Sequence, residues 1–342
     1  VSLHPLVLAI GLLDLIAWAI YLPAARRLLA ALPHWRPESG DARQLWRERA
    51  LELAAYQGRW VMGMQTAAFV LFLIGVSNLW PPCVPGAMCG AGVLNAMGTA
   101  GEQTLIFRGL TLLLFYCRHA AEQLERSDPL PVAPAHGRML LLAAPLMALA
   151  TWTFVQAVSA MSGPAPVSCC AALYDQAAAG RLNLEGSGIS TRFWAAACFG
   201  GALLVAAWGW LQYRRPGSGG RKLALLSALL IPAWTVAAYM ALKTVVAPYL
   251  FQILYHPCPW CFFLWDQHAL GFVLFGLPAW MVAETAAALT VRAAGRHGRS
   301  AGPVRARLAS TGLRIWAGSL LFAAAAAAPV LLWRLRSGGW IN

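Results

Sequence analysis

Cys258-Pro259-Trp260-Cys261 is the stretch whose residue types and spacing are best suited to chemistry. Two cysteines separated by two residues, where one apolar run ends and another begins, form a pair able to cycle between dithiol and disulfide. Pro257 and Pro259 suit the first turn of a helix, where a missing N–H costs little. The spacing therefore predicts that the pair opens a helix, at the positive end of its dipole, where a thiolate is favoured. A thiolate attacks disulfides, binds soft metals or reduces an electrophile. Six more cysteines accompany the pair. Cys83 and Cys89 share one loop, Cys169 and Cys170 are adjacent in another, and Cys117 and Cys198 fall at the end of, or within, apolar runs.

The elements that must position this sulphur are set by composition. The 342 residues are 59% hydrophobic and 11% charged, outside the range of soluble domains. Sixteen tryptophans match the aromatic belts found at membrane interfaces. The net charge of +13 would suit nucleic acid if it formed one patch, but the basic residues fall between apolar runs of membrane-spanning length. The expected fold is therefore an all-α, polytopic membrane bundle, with lipid rather than nucleic acid as its surroundings.

Eight spans are expected, at about residues 5–28, 60–80, 104–116, 139–161, 193–213, 223–247, 262–291 and 315–333. The first reads as a retained helix rather than a cleaved signal. Residues 42–57 have the composition of a helix lying on the membrane surface, and Pro278 predicts a kink in the seventh span. Twenty of the 26 Lys and Arg lie in four alternate connections, at 26–59, 118–138, 214–222 and 292–314. The positive-inside rule makes those four cytoplasmic and places both termini outside. Cys83, Cys89, Cys169, Cys170, Cys258 and Cys261 then all fall on the outer side, where paired cysteines persist. This suits a bacterial inner membrane with cysteine loops on its periplasmic face. Three stretches follow: 1–138, with three spans and the cysteine loop at 81–103; 139–291, with four; and 292–342, a basic segment and the last span.

Within 139–291 the order is a span, the loop Ser168-Cys169-Cys170, two spans, then Cys258-Pro259-Trp260-Cys261 followed by Phe262-Phe263-Leu264-Trp265. This stretch resembles the catalytic helical bundle of the vitamin K epoxide reductase family. The bacterial disulfide-forming membrane oxidases share its chemistry and a similar four-helix core. The resemblance implies that electrons pass from the thiols of a periplasmic protein through a loop pair to the helix pair, and then to a quinone. The loop pair is Cys169/Cys170, which are adjacent where the family's loop cysteines are spaced, or Cys83/Cys89, whose spacing is more like the family's. Cys258, nearer the aqueous face, would exchange with the loop. Cys261, one turn deeper, would serve the quinone beside Trp260, Phe262, Phe263, Trp265 and His268.

Other chemistries are weighed on the same residues. Structural disulfides clamping two loops would explain Cys83/Cys89, and would fit a non-enzymatic subunit scaffolding a larger membrane complex through small-residue helix faces such as Ala323–Ala328. A carrier of metal or reduced sulphur would draw on His256, Cys258, Cys261 and His268. The His256-x-Cys258 spacing is short and His268 lies two turns away, so no metal site is assigned. No Cys-x-x-Cys-His haem motif occurs, and no phosphate-binding loop points to an ATP-driven pump. Among intramembrane polar groups, Glu284 reads as a buried carboxyl bonded to a neighbouring helix, and Asp14, Arg108 and Lys243 also fall in or near spans.

Overall fold

The computed structural model describes residues 4–36, 39, 41–127, 133–161, 190–216, 220–252, 258–295 and 301–340. Among them the chain is all-helical, with no strand. The α-helices are α1 (Pro5–Ala31), α2 (Ala42–Ile74), α3 (Gly90–Met97), α4 (Thr99–Ser127), α5 (Ala133–Ala160), α6 (Thr191–Arg214), α7 (Gly220–Ala241), α8 (Ala247–Phe251), α9 (Leu270–Gly295) and α10 (Ala301–Ser337). Two of them end in a π-helical turn, α2 at Gly75–Leu79 and α7 at Leu242–Val246.

Local chemistry explains several helix starts. His4 Nδ1 accepts from the Leu6 amide ahead of α1, Asp41 accepts from the Gln44 amide at the start of α2, and Ser190 caps α6 through the Phe193 amide. Among the described residues, seven helical segments are long and apolar enough to cross a membrane, with mean hydropathy between 1.5 and 2.1. They correspond to seven of the eight expected spans. The remaining one, α4, has 29 residues, about 43 Å of helix, but carries Glu102, Arg108, Arg118 and Glu122 and is not among the seven. The surface helix expected at 42–57 is corrected: those residues are the first half of one continuous α2. Ala50, Leu51, Ala54 and Ala55 bury one face of it against its neighbours. The last basic segment is also helical on both sides, since α9 runs to Gly295 and α10 starts at Ala301.

Exposure follows the logic of a lipid solvent. Leu8, Leu15, Leu203, Leu229 and Val236 face outward, while Asp14, Arg108 and Glu284 are buried. In hydrocarbon a leucine outside costs nothing and an unpaired charge costs several kcal/mol, roughly.

The chain forms two compact units. The first comprises residues 1–75, 96–163 and 286–307. Here α1 packs on α2 and α4 on α5, around Tyr21, Leu28, Leu51, Val61, Phe115, Leu140 and Met147. The helix α5, read in the sequence with the four-span stretch, belongs to this unit. Tyr21 donates to the Leu140 carbonyl at 2.8 Å. A buried charge pair ties three of the helices: Arg108 meets both carboxylate oxygens of Asp14, at 3.0 and 2.6 Å, and Gln65 donates to the same carboxylate at 3.1 Å. Further along α4, Arg118 donates to the Ala55 carbonyl and to Glu122, and lies flat against Gly58.

The second unit comprises residues 76–95, 164–285 and 308–342. Its core draws Cys198 and Val205 from α6, Trp234 and Ala238 from α7, Leu274 and Met281 from α9, and Ile315 and Phe322 from α10, with Phe262 among them. α6 and α10 cross at glycine. A Cβ on Gly209 would come within 2.7 Å of the Trp316 amide, and one on Gly312 within 2.7 Å of the Gly209 carbonyl. Glu284 is buried and held between Arg314 Nη1 at 2.6 Å and the Thr311 hydroxyl at 3.0 Å. This is the neighbouring-helix partnership expected for it, with a cation supplying the main contact.

The Asp14–Arg108 pair generates a stability prediction. Asp14→Ala or Arg108→Ala leaves one charge buried alone and should cost roughly 3–5 kcal/mol. The double replacement Asp14→Leu/Arg108→Met should recover most of that loss. Unfolding of the three variants in detergent micelles, compared with wild type as a double-mutant cycle, reads the coupling directly.

Candidate functional site

The site is built on the π-helical end of α2. There Asn78 reaches across to the Cys258–Cys261 segment. Its Nδ2 donates to the Phe263 carbonyl at 3.0 Å, and its Oδ1 accepts from the Trp265 amide at 3.0 Å. One side-chain amide thus satisfies two backbone groups that no regular helix would pair. Sequence reading missed Asn78. The only signal was an amide side chain at the end of a long apolar run, two residues before Trp80-Pro81-Pro82.

The segment so clasped is not the start of an α-helix, which corrects the expectation from Pro257 and Pro259. Cys258 precedes a 3-10 turn over Pro259–Phe263, a second 3-10 turn covers Trp265–Gln267, and α9 begins only at Leu270. His268 and Ala269, with φ of 55° and 51°, make the chain turn left-handed between them. Gly271 permits the close return, because a Cβ there would meet the Phe263 ring at 2.8 Å.

The cysteine at a helix start is instead Cys89. Its carbonyl accepts from the Gly92 and Val93 amides at 3.0 and 3.3 Å, so it caps α3, at the end of a helix that favours negative charge. Gly86, at φ 81°, reverses the loop that carries Cys89. Gly90 lets that loop lie on Trp260, since a Cβ at Gly90 would sit 2.9 Å from the indole.

These supports bring three sulphurs together. Cys89 Sγ lies 3.8 Å from Cys258 Sγ, and the Sγ atoms of Cys89, Cys258 and Cys261 all lie within 4.8 Å of one another. A separation of 3.8 Å is a sulphur–sulphur contact, well beyond the roughly 2.05 Å of a bond. All three residues are buried, at 2%, 4% and 6% exposure. Cys258 and Cys261 are alike in burial. Ala91, Phe251, Trp260 and Leu264 wall the cluster.

The other expected site residues are placed as follows. Cys83 is exposed at the end of the Pro81–Cys83 turn, its Sγ 3.7 Å from the Leu79 carbonyl, and is not part of the cluster. Cys169 and Cys170, along with His256 and Pro257, lie outside the described residues. Phe262 and Phe263 are buried, with their rings against Phe251, Phe272, Phe275 and Trp260. They are core as much as lining. Trp265 is 54% exposed, Trp260 half-buried, and His268 stands at the left-handed turn outside the sulphur cluster. Cys198 is buried in the second unit's core.

No family model, no curated protein and no solved structure matches the chain.

The Asn78 clasp makes a checkable demand. Asn78→Ala leaves the Phe263 carbonyl and Trp265 amide without this partner, at roughly 1–3 kcal/mol for each group left unmet. The turn should loosen, so Cys258 and Cys261 should react faster with a small alkylating reagent in the reduced, folded protein. The measurement is the labelling rate by mass spectrometry, with Cys198, buried in the α6–α10 core, as the internal reference. Asn78→Asp keeps the acceptor for Trp265 and should fall between the two.

Proposed function

We propose that the protein is a multi-pass membrane thiol–disulfide oxidoreductase, taking electrons from thiols outside the bilayer and passing them to a quinone within it. The observation that carries this reading is the meeting of Cys89 with Cys258 at 3.8 Å, beside Cys261. A loop cysteine held against a Cys-x-x-Cys pair is the arrangement thiol–disulfide exchange requires. The resemblance to vitamin K epoxide reductases and disulfide-forming oxidases points the same way. On this reading α4 is an eighth span, and the cysteine loops face the periplasm of a bacterial inner membrane.

The steps balance as follows. The Cys89 thiolate attacks Cys258 of the Cys258–Cys261 disulfide, forming the Cys89–Cys258 bond and releasing Cys261 as thiolate. A second thiol, for which Cys83 in the same loop is the exposed candidate, attacks Cys89 and forms the Cys83–Cys89 disulfide. Cys258 is released, so both electrons now rest on the reduced pair. Oxidation of that pair back to its disulfide delivers two electrons and two protons to a quinone, which becomes the quinol. A thiol protein outside the membrane then reduces Cys83–Cys89 and leaves with its own disulfide. Partly exposed Trp260 and Trp265 offer flat faces by which a quinone ring can approach.

The test is to trap the exchange. In mildly oxidised Cys261→Ser the exchange can run only in reverse and stops half-way: Cys258 attacks Cys89 of the Cys83–Cys89 disulfide, no Cys261 thiol is there to release Cys89, and a Cys89–Cys258 mixed disulfide should accumulate and appear in non-reducing peptide maps. Quinol production from reduced substrate thiols should fall at least 100-fold in Cys258→Ser and Cys261→Ser. If both variants retain full thiol oxidation, the pair is structural and the reading is lost.

A further inference from the structure

We infer that the reduced cysteine cluster is also a binding site for a soft monovalent cation, Cu(I), held by the sulphurs of Cys89, Cys258 and Cys261. The inference stands on the geometry of the three sulphurs and goes beyond the exchange reaction that shares them. Three Sγ atoms lie within 4.8 Å of one another, one pair at 3.8 Å, close enough to converge on a single ion with small side-chain adjustments. A metal–sulphur bond of about 2.3 Å puts ligand sulphurs about 3.8 Å apart in a tetrahedron and about 4.0 Å apart in a trigonal plane.

The donor set selects the ion. Among the described residues the group contains sulphur alone, with no imidazole and no carboxylate. Hard cations such as Mg²⁺ and Ca²⁺ demand oxygen. Zn²⁺ accepts thiolate but takes four ligands in a structural site. Cu(I) is the ion that soft thiolate donors favour, and three such donors suffice for it.

The walls favour the same ion. Phe251, Trp260 and Leu264 close on the sulphurs and all three cysteines are buried, so water and oxidants are kept from the metal. The site is also held in place by contacts that need no ion. Asn78 pins the turn that carries Cys258 and Cys261, and the Gly90–Trp260 contact seats the loop that carries Cys89. Each copper–sulphur bond replaces an S–H, the proton leaving to solvent. A sulphur in a disulfide has no thiolate to offer, so copper occupancy and the Cys258–Cys261 disulfide exclude one another.

The experiment uses the full chain, reduced and oxygen-free in detergent micelles, and titrates Cu(I) from a chromophoric chelator. One Cu(I) per chain should be withdrawn from the chelator, with a thiolate-to-copper charge-transfer band, and X-ray absorption should report sulphur neighbours only. Cys89→Ser, Cys258→Ser and Cys261→Ser should each weaken binding by more than the roughly 10–100-fold that disturbing an outer-shell partner costs. Cys83→Ser should leave it unchanged, and protein oxidised beforehand should withdraw none. Wild-type stoichiometry below one-tenth, equal binding by oxidised protein, nitrogen or oxygen neighbours, or equal loss in Cys83→Ser would each overturn the site. Zn²⁺ held in preference would overturn the choice of ion. The wild-type stoichiometry and X-ray absorption decide the matter even if a serine variant fails to fold. Failure to bind copper while Cys261→Ser still traps Cys89–Cys258 removes this site alone. Bound copper with no trapped disulfide removes the exchange reaction alone.

Discussion

A polar group inside hydrocarbon has no water to turn to, so each must find its partner within the chain, and much of this architecture follows from that constraint. It explains why the regular backbone structure among the described residues is all helical. It also explains the buried pairs. Asp14 is met by both terminal nitrogens of Arg108 and by Gln65, and Glu284 by Arg314 and Thr311. Such pairs contribute little net stability when complete and cost a great deal when broken. Their effect is to fix which helix faces which, because only one register brings donor to acceptor.

The same constraint shapes the cysteine site. A run of two 3-10 turns leaves backbone groups that an α-helix would have paired internally. Asn78 takes two of them, one as donor and one as acceptor, and so fixes the Cys258–Cys261 turn against the end of α2. The π-helical turn at Gly75–Leu79 lies where this amide is needed, in keeping with the tendency of such turns to occur at functional places. Gly90 completes the arrangement by sparing the space that Trp260 fills. Three thiols then lie together in an apolar enclosure, where neither a sulphur nor an ion is well solvated and neighbouring sulphurs become the preferred partners. The proposed exchange and the proposed soft-metal binding would both follow from that single circumstance.

Small residues perform the complementary task in the second unit. Gly209 and Gly312 allow the α6 and α10 backbones to touch, which any side chain larger than hydrogen would prevent. Lipid offers no hydrophobic drive for helices to associate, so close van der Waals contact of this kind takes its place. Trp234 fills the complementary role, its indole donating to the Cys198 carbonyl at 2.9 Å and its ring set edge-on to Phe322.

Apolar runs about twenty residues long, separated by basic connections, were enough by themselves to determine the all-helical class and the position of the seven membrane-length helices found among the described residues, because that pattern is a local property of solvent preference. The Cys258–Cys261 pair was legible for the same reason, since a spacing of three is visible along the chain. Which cysteine meets them was not. Cys89 lies 169 residues earlier, and its contact with Cys258 depends on the Gly86 reversal, the α3 cap and the Asn78 clasp acting together. Nor could proline content reveal that the pair sits on a 3-10 turn ahead of α9: Pro259 fits the first turn of either helix type, and the choice was made by Asn78 and by the Phe263–Gly271 contact. The pairing of Asp14 with Arg108 was hidden likewise, because a charge in a span announces only that a partner exists, and which one it is depends on helix register.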